Sequence, residues 1–287
     1  MTAISVIISI YNRPEFLERV LRGYAVQTDK DFELILADDG SDQETLDVIA
    51  RARSSSGMRI MHVWHEHRGF RKSVILNRSI LAARTDHLLF TDGDCIPKRD
   101  LIAVHRSLLG PGHYVSGGYL KLSDEVSKRI VMDDIDSGRI TDLAWLRSQG
   151  WKPGRRALRL RSPSRLSTIL DAITPTKPDF NGNNSSVFRE ALLEVNGFEG
   201  EMGYGGLDQA LGVRLQNSGV KGLMARHRAV VMHLHHDRPY RDPAMMRANR
   251  ERIIKLRKGG EFRAHRGIKE LEPDPTLRID GRPVYGD

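Results

Sequence analysis

A single cysteine, Cys95, stands in the 287 residues. It leaves no partner for an internal disulfide and no set for a cysteine-based zinc or iron–sulfur site, and it points to a reducing compartment. No apolar stretch approaches the roughly 18 residues that a membrane-spanning helix needs. The run Ile4 to Ile10 is too short for a secretory leader and no Lys or Arg precedes it, so the expectation is a cytoplasmic protein. Glycine is missing from the turn after that first run, Ser9-Ile10-Tyr11-Asn12-Arg13-Pro14, which removes a dinucleotide fingerprint; no Gly-x4-Gly-Lys-Ser/Thr occurs, which removes a Walker A loop. Aromatics are sparse at 6%, but apolar residues reach 39% and charged residues 29%, a balance suited to a folded globular chain rather than a disordered one.

Charge is present in excess of one sign. The formal net charge is +8, and all of the excess falls after residue 118, where 30 basic residues face 22 acidic ones. Two clusters dominate. Lys152, Arg155, Arg156, Arg159, Arg161 and Arg165 form a run without an acid, and Arg247 to Lys258 is broken only by Glu251. Such patches attract nucleic acid, anionic lipid or an anionic saccharide, or simply form a solvated surface.

The first half alternates β-branched runs with helical patterns. Strands are expected at Ser5–Ile10, Phe32–Ala37, Arg59–His65 and His87–Thr91, with helices at Pro14–Gln27, Gln43–Arg53, Phe70–Ala83 and Arg99–Leu109. This is the sequence form of an α/β fold, a parallel sheet wound with helices on both faces, whose ligands gather at the carboxyl ends of the strands. After a strand at Tyr114–Leu122 the rhythm breaks, and residues 123–178 read as a helical or loop insertion. Short strands are expected at Ser185–Phe188 and Ala229–His233, and helices at Arg189–Val195 and Leu207–Gln216. The Gly-, Pro- and charge-rich tail from Gly259 reads as a loosely packed arm.

The strand ends offer carboxylates: Asp38-Asp39-Gly40 after the second run and Asp92-Gly93-Asp94 after the fourth. Two hard oxygen ligands on one tight turn suit Mn²⁺ or Mg²⁺ bridging to phosphate, although a capped turn gives the same string. Ser5 to Arg13, Asp38-Asp39-Gly40-Ser41 and Asp92-Gly93-Asp94 together resemble the opening of family 2 inverting glycosyltransferases of the GT-A fold. Phe70-Arg71-Lys72, Leu76-Asn77, Gly117-Gly118, Asn196-Gly197-Phe198, Gly203 to Asp208 and Met232 to His235 resemble motifs of the β-1,4-galactosyltransferase and bacterial chondroitin-polymerase type, so the resemblance spans about residues 4–236.

The resemblance implies a catalytic domain over 1–258, with a nucleotide-binding half at 1–118, an acceptor and metal-completing half at 119–258, and the arm at 259–287. It implies that Asp39 accepts a hydrogen bond from a uracil imide, with Tyr11, Arg13 and Arg71 lining the nucleotide pocket, Asp92 near the ribose and metal, and Gly118 at the sugar nucleotide. Asp94 and His235, with Met232, are the implied ligands of Mn²⁺ or Mg²⁺, the thioether being the softest and least suited donor. Asp208 is the implied general base. One departure stands out: the acid that precedes this base in the pattern is Leu207 here.

Plainer readings stand beside these. Asp38 reads as turn and cap. One of His233, His235 and His236 is favoured as a ligand, whereas His62, His65 and His67 read as surface residues. Trp145 and Trp151 read equally as sugar platforms or core, and Cys95 as an apolar filler. The leading expectation is a glycosyltransferase that takes a UDP-sugar to a glycan or lipid-linked acceptor, with the Lys152 to Arg165 run touching an anionic membrane from the cytoplasmic side and no nucleic acid partner. A sugar-phosphate nucleotidyltransferase and a non-catalytic sugar-nucleotide or polyanion-binding module are the alternatives.

Overall fold

The structure, a computed structural model, describes residues 3–152, 154–160, 164–174, 178–237 and 242–285. Elements β1 (Ile4–Ile10), α1 (Pro14–Ala25), β2 (Phe32–Asp38), α2 (Gln43–Ser56), β3 (Ile60–Trp64), α3 (Lys72–Ala82) and β4 (His87–Asp92) follow one another in the expected alternation. The four strands are parallel and lie in the order β3-β2-β1-β4, so the winding reverses between β1 and β4. A crevice opens at the carboxyl end of the sheet at such a reversal.

Alternation of side chains builds two cores. From β1, Ile4, Val6, Ile8 and Ile10 enter one face together with Phe32, Leu34 and Leu36 of β2, while Ile7, Ile35 and Ala37 enter the other. Burying both faces is what gives these strands their near-continuous apolar runs. Ser5, on the second face, is buried and spends its hydroxyl on Glu33 at 2.7 Å.

Downstream come β5 (Cys95–Pro97), α4 (Leu101–Leu108), β6 (His113–Lys121), α5 (Asp124–Arg129), α6 (Met132–Asp136), α7 (Leu143–Ser148) and α8 (Ser164–Ile173). Then follow β7 (Ser185–Phe188), α9 (Arg189–Glu194), α10 (Leu207–Asn217), β8 (Lys221–His233), α11 (Pro243–Gly259), β9 (Arg278–Ile279) and β10 (Arg282–Pro283). The full sheet runs β10-β9-β3-β2-β1-β4-β7-β6-β8-β5, with β7 antiparallel between β4 and β6. The described residues of 123–178 do leave the repeat, as short helices: α8 packs on β8 through Asp171, which accepts from His227 N at 2.8 Å, while α5 and α6 dock on α1, where Arg19 donates to Ser127 O at 2.8 Å and Arg22 pairs with Asp136. Both tryptophans pack there. Trp151 is buried with its indole N–H on Lys121 O, and Trp145 lies against the same cluster.

Two expectations need correction. The last long strand begins at Lys221, eight residues earlier than the run Ala229–His233 suggested, and pairs with β6 across an irregularity at Gly117 and Gly118. Asn184 holds that irregularity, donating to Gly118 O at 2.8 Å and Ala229 O at 3.1 Å; a Cβ on Gly117 would collide with it. The C-terminal arm, expected to be loose, is anchored. Its β9 adds to β3, Asp280 accepts from the His62 N–H at 2.9 Å and from Arg53, and buried Asn196 donates to Ala264 O at 2.9 Å while accepting from Lys269 N. Leu277 enters the second core with Ile268 and Ile279 against it, but these apolar residues are scattered among backbone and charged contacts, so hydrophobic periodicity does not report the arm.

Candidate active site

The crevice at the end of β1 and β4 holds a cavity of about 680 Å³. Its base is the turn Asp92-Gly93-Asp94. Gly93 N–H donates to Ser9 O at 2.9 Å and Leu234 N–H to Asp94 O at 2.9 Å, so this turn is bolted to β1 on one side and to the end of β8 on the other. A side chain at residue 93 would strike Ile10. Asp92 and Asp94 therefore face the cavity from a fixed backbone.

Around Asp94 the donors differ from those implied by the motif. His236 Nε2 lies 2.8 Å from Asp94 Oδ2 and His233 Nε2 3.8 Å, and the rings of His233 and His236 stack at 5.4 Å. Burial would raise the Asp94 pKa, but the His236 hydrogen bond and the charges of His233 and His236 outweigh it and bring it to about 2. Two expected ligands are displaced. His235 is exposed, points away to Asp124 at 3.6 Å and does not line the cavity: β8 ends at His233, and beyond the strand the chain brings His236 rather than His235 beside His233. Met232 is fully buried in the core beside Ile96. Carboxylate oxygen and imidazole nitrogen are a donor set that fits Mn²⁺, and Asp94, Cys95 and His233 bring their ligand atoms within 4.8 Å of one another. Cys95 is fully buried, its thiol pushed up by burial and by the nearby carboxylates, with its S–H on Asp94 Oδ1 at 3.2 Å.

Lys72 opens α3 and reaches across to Asp92, Nζ to Oδ1 2.6 Å. Burial pushes its pKa down, but the charges of Asp92, Asp208 and Asp94 outweigh that and raise it. It is an ammonium in a ring of three carboxylates. In the sequence Lys72 stands in the Phe70-Arg71-Lys72 motif with no implied role; a lysine at a helix start, where the dipole disfavours a cation, is the signal that acids face it.

Asp208 sits at the second position of α10 and caps nothing: the N-cap is Gly206, at φ 94°. Its Oδ1 is buried and unpartnered. Burial raises its pKa and Asp92 raises it further, against the pull of Lys72 and of a hydrogen bond from the Gly182 N–H. Gly182 gives the carboxylate its room, since a Cβ there would overlap it. The glycine loop ahead of Asp208 is tied down by Asn249 of α11, which donates to Gly205 O at 2.8 Å. Leu207 lies in a small cluster with Met202, Ala210, Val213 and Ile253.

At the other end of the cavity, Tyr11 stacks on His67 at 4.3 Å and Arg13 donates to Asp237 O at 3.2 Å. Asp39 lines the wall with Oδ1 on His65 at 2.7 Å and Oδ2 on the Arg71 N–H at 2.9 Å. The Arg71 side chain itself turns out of the cavity to Asp274 at 3.3 Å, drawn by the arm, so it does not line the pocket as expected. Asp38 is structural, accepting from Ser41 N at 2.8 Å and facing His62 at 2.8 Å. His62 and His65, read as surface residues, are buried partners of the two aspartates, and His67 lines the cavity. Gly118 lies on a neighbouring cavity instead. Among the basic run, Arg161 lies outside the described residues, as do the side chains of Arg155 and Arg165.

A wound sheet whose crevice joins paired carboxylates, imidazoles and a buried carboxylate on a glycine-led helix has the layout of a ligand-binding site at the strand ends. The family model described as "Glycosyl transferase family 2" matches residues 5–194, and the chain belongs to that family. It is 27% identical over 260 residues to the uncharacterized glycosyltransferase YfnE of Bacillus subtilis (strain 168), a match covering 82% of this chain and 65% of that protein. It is 26% identical over 248 residues to the chondroitin synthase of Escherichia coli, covering 78% of this chain and 34% of the synthase. The chain thus spans less than two thirds of either relative. Among solved structures it resembles the mannosyltransferase PcManGT from Pyrobaculum calidifontis, in complex with GDP-Man and Mn²⁺, with TM-score 0.57, 19% identity, and 90% of this chain and 63% of that one covered. It also resembles S. aureus TarS 1-349 in complex with UDP-GlcNAc, with TM-score 0.59, 13% identity, and coverage of 88% and 66%. The expected GT-A fold is borne out, and residues 5–194 carry the glycosyl transferase family 2 domain. Among the described residues no helix is long and apolar enough to cross a membrane.

Proposed function

We propose that the chain is an inverting, divalent-metal-dependent glycosyltransferase that moves a hexose or N-acetylhexosamine from a UDP-sugar to a hydroxyl of a surface glycan acceptor. The observation that carries this reading is Asp208: a carboxylate with raised pKa and one unpartnered buried oxygen, in the same cavity as Asp92 and Asp94. The uracil would enter over the Tyr11–His67 stack against Asp39. Asp94, His233 and His236 would hold the cation, which when bound neutralises charge on the leaving diphosphate. Lys72 holds Asp92 in place and adds a fixed positive charge beneath the phosphates. Asp208 takes the acceptor proton as the hydroxyl oxygen bonds to the anomeric carbon from the face opposite the diphosphate. The bond from that carbon to the diphosphate oxygen breaks, and UDP leaves.

The test is release of UDP from a panel of UDP-sugars with Mn²⁺, against EDTA controls. Asp208→Asn should bind UDP normally while turnover falls by roughly two to four orders of magnitude. Wild-type turnover should rise with pH through a midpoint above the ordinary aspartate value, because the base acts only when deprotonated. Pyrophosphate release from UTP and a sugar phosphate would instead mark a nucleotidyltransferase.

A second surface favours contact with an anionic membrane. α8 leaves Leu166, Ile169 and Ile173 exposed at helical spacing beside the basic run. Binding to anionic but not neutral vesicles, lost in Ile169→Ser/Ile173→Ser, is the expected result; no binding at low salt ends that reading.

A further inference from the structure

A second cavity, of about 830 Å³, adjoins the first. Tyr119, Asn181, Gly205, Gly206 and Asp208 line both, so Asp208 stands in the wall between them. The character of the two differs. The first mixes Asp39, Asp92 and Asp94 with Arg13, Lys72 and Lys121; the second gathers Arg156 and Arg159 from the 3₁₀ turn Gly154–Arg159, Arg226 from β8 and Arg250 from α11. Besides Asp208 its lining holds one other carboxylate, Asp179, which is engaged by Arg257 at 3.3 Å.

Among the described residues, none of the four arginines pairs with an acid. Arg159 donates to Tyr119 O at 2.6 Å, and burial together with the charges of Arg226 and Arg156 lowers its pKa. Like charges gathered in a concave site raise the potential for an anion there, and guanidinium forks match carboxylate and phosphate oxygens. The floor supplies a contrasting surface. Half-buried Gly205 and Gly206 offer bare backbone on which a sugar ring can lie, with Met246 and Ile253 beside it.

We infer that this second cavity is the acceptor subsite and that its natural occupant is an acidic saccharide, bearing a carboxylate or phosphate within one sugar unit of the reacting hydroxyl. The inference rests on Asp208 being the base, since that places the hydroxyl at the shared wall and the anion among the arginines. Donor recognition by the first cavity is separate from it. The basic run at 152–165, which sequence alone left open between lipid, glycan and solvent, thereby sends Arg156 and Arg159 to the glycan.

The experiment is calorimetric titration of the full chain, held with UDP and Mn²⁺, with p-nitrophenyl β-D-glucuronide, its 6-phospho-glucoside counterpart and the neutral p-nitrophenyl β-D-glucoside. At least one charged probe should bind about tenfold tighter than the neutral one, with the advantage shrinking as salt rises. The better of the two charged probes names the anion. In Arg156→Gln/Arg250→Gln, both at exposed positions, the advantage should vanish while UDP affinity is unchanged. Equal binding of charged and neutral glycosides, or no binding of either charged probe at low salt, overturns the inference. So does an advantage that survives both that variant and Arg226→Gln. Should UDP fail to bind while the charged probes still bind through these arginines, the transferase reading falls and the anion site stands.

Discussion

Replacing Lys72 by Met keeps the reach of the side chain and removes the ammonium that faces Asp92 at 2.6 Å, with the charges of Asp208 and Asp94 acting on it as well. The two paired side chains are 20% and 27% exposed, between the extremes for which costs are known. Removing one partner of a fully buried pair costs about 3–5 kcal/mol, and an exposed pair is worth about 0–1 kcal/mol, so the expected loss is about 2 kcal/mol. At roughly 2–4 °C per kcal/mol for large domains, the Tm falls by about 4–8 °C. The assay is differential scanning calorimetry in EDTA on wild type, Lys72→Met, Asp92→Asn and the double variant. Neutralising Asp92 relieves part of the damage, giving a coupling energy of about 1 kcal/mol or more. Additive losses, within about 0.5 kcal/mol, would refute the claim that Lys72 is held by these carboxylates rather than by its aliphatic stem.

Metal affinity separates two histidines that sequence alone confuses. His236→Ala should weaken Mn²⁺ binding at least about tenfold in a titration, while His235→Ala leaves it unchanged; the reverse order would return the ligand role to His235. Acid stability tests the arm. Burial would raise the Asp274 pKa, but Thr276, Arg71 and Arg78 outweigh it and bring it to about 2, from 3.8. A depressed carboxylate stabilises the fold above its ordinary pKa and loses that contribution as pH falls toward 2, here about 2 kcal/mol. Urea unfolding of Asp274→Asn should show no such component between pH 5 and 2, and a slope equal to wild type would remove Asp274 from the account.

The parallel half was legible because its physics is periodic. Ile4 to Ile10 and Phe32 to Asp38 carry apolar residues on both faces since both faces are covered, and that leaves a near-continuous apolar run in the sequence. What periodicity does not carry was lost. His62 and His65 read as solvent-facing because their partners, Asp38 and Asp39, lie on the neighbouring strand and in the turn that follows it, a contact set by register rather than by spacing. His233, His235 and His236 are close in sequence, yet only geometry shows that the first and third meet Asp94. Arg71 kept its motif position and lost its expected contact to Asp274, some two hundred residues away. Asp208 was singled out through the resemblance of Gly203 to Asp208 to a family motif, and the glycine loop and helix start hold it at the crevice.

The anchored arm bears on how the chain reaches this shape. β3 lies at the edge of the parallel strands until β9 pairs with it, and residues 62 and 280 that meet there are separated by 218 positions. During synthesis the parallel strands β1 to β4 emerge first, with β3 unpaired along that side. Closing so long a loop is slow, and an uncovered strand edge recruits other chains meanwhile. The same short segment that pulls Arg71 aside therefore acts as the chain's late-arriving guard, and nascent molecules lacking it carry an adhesive border through the whole of translation.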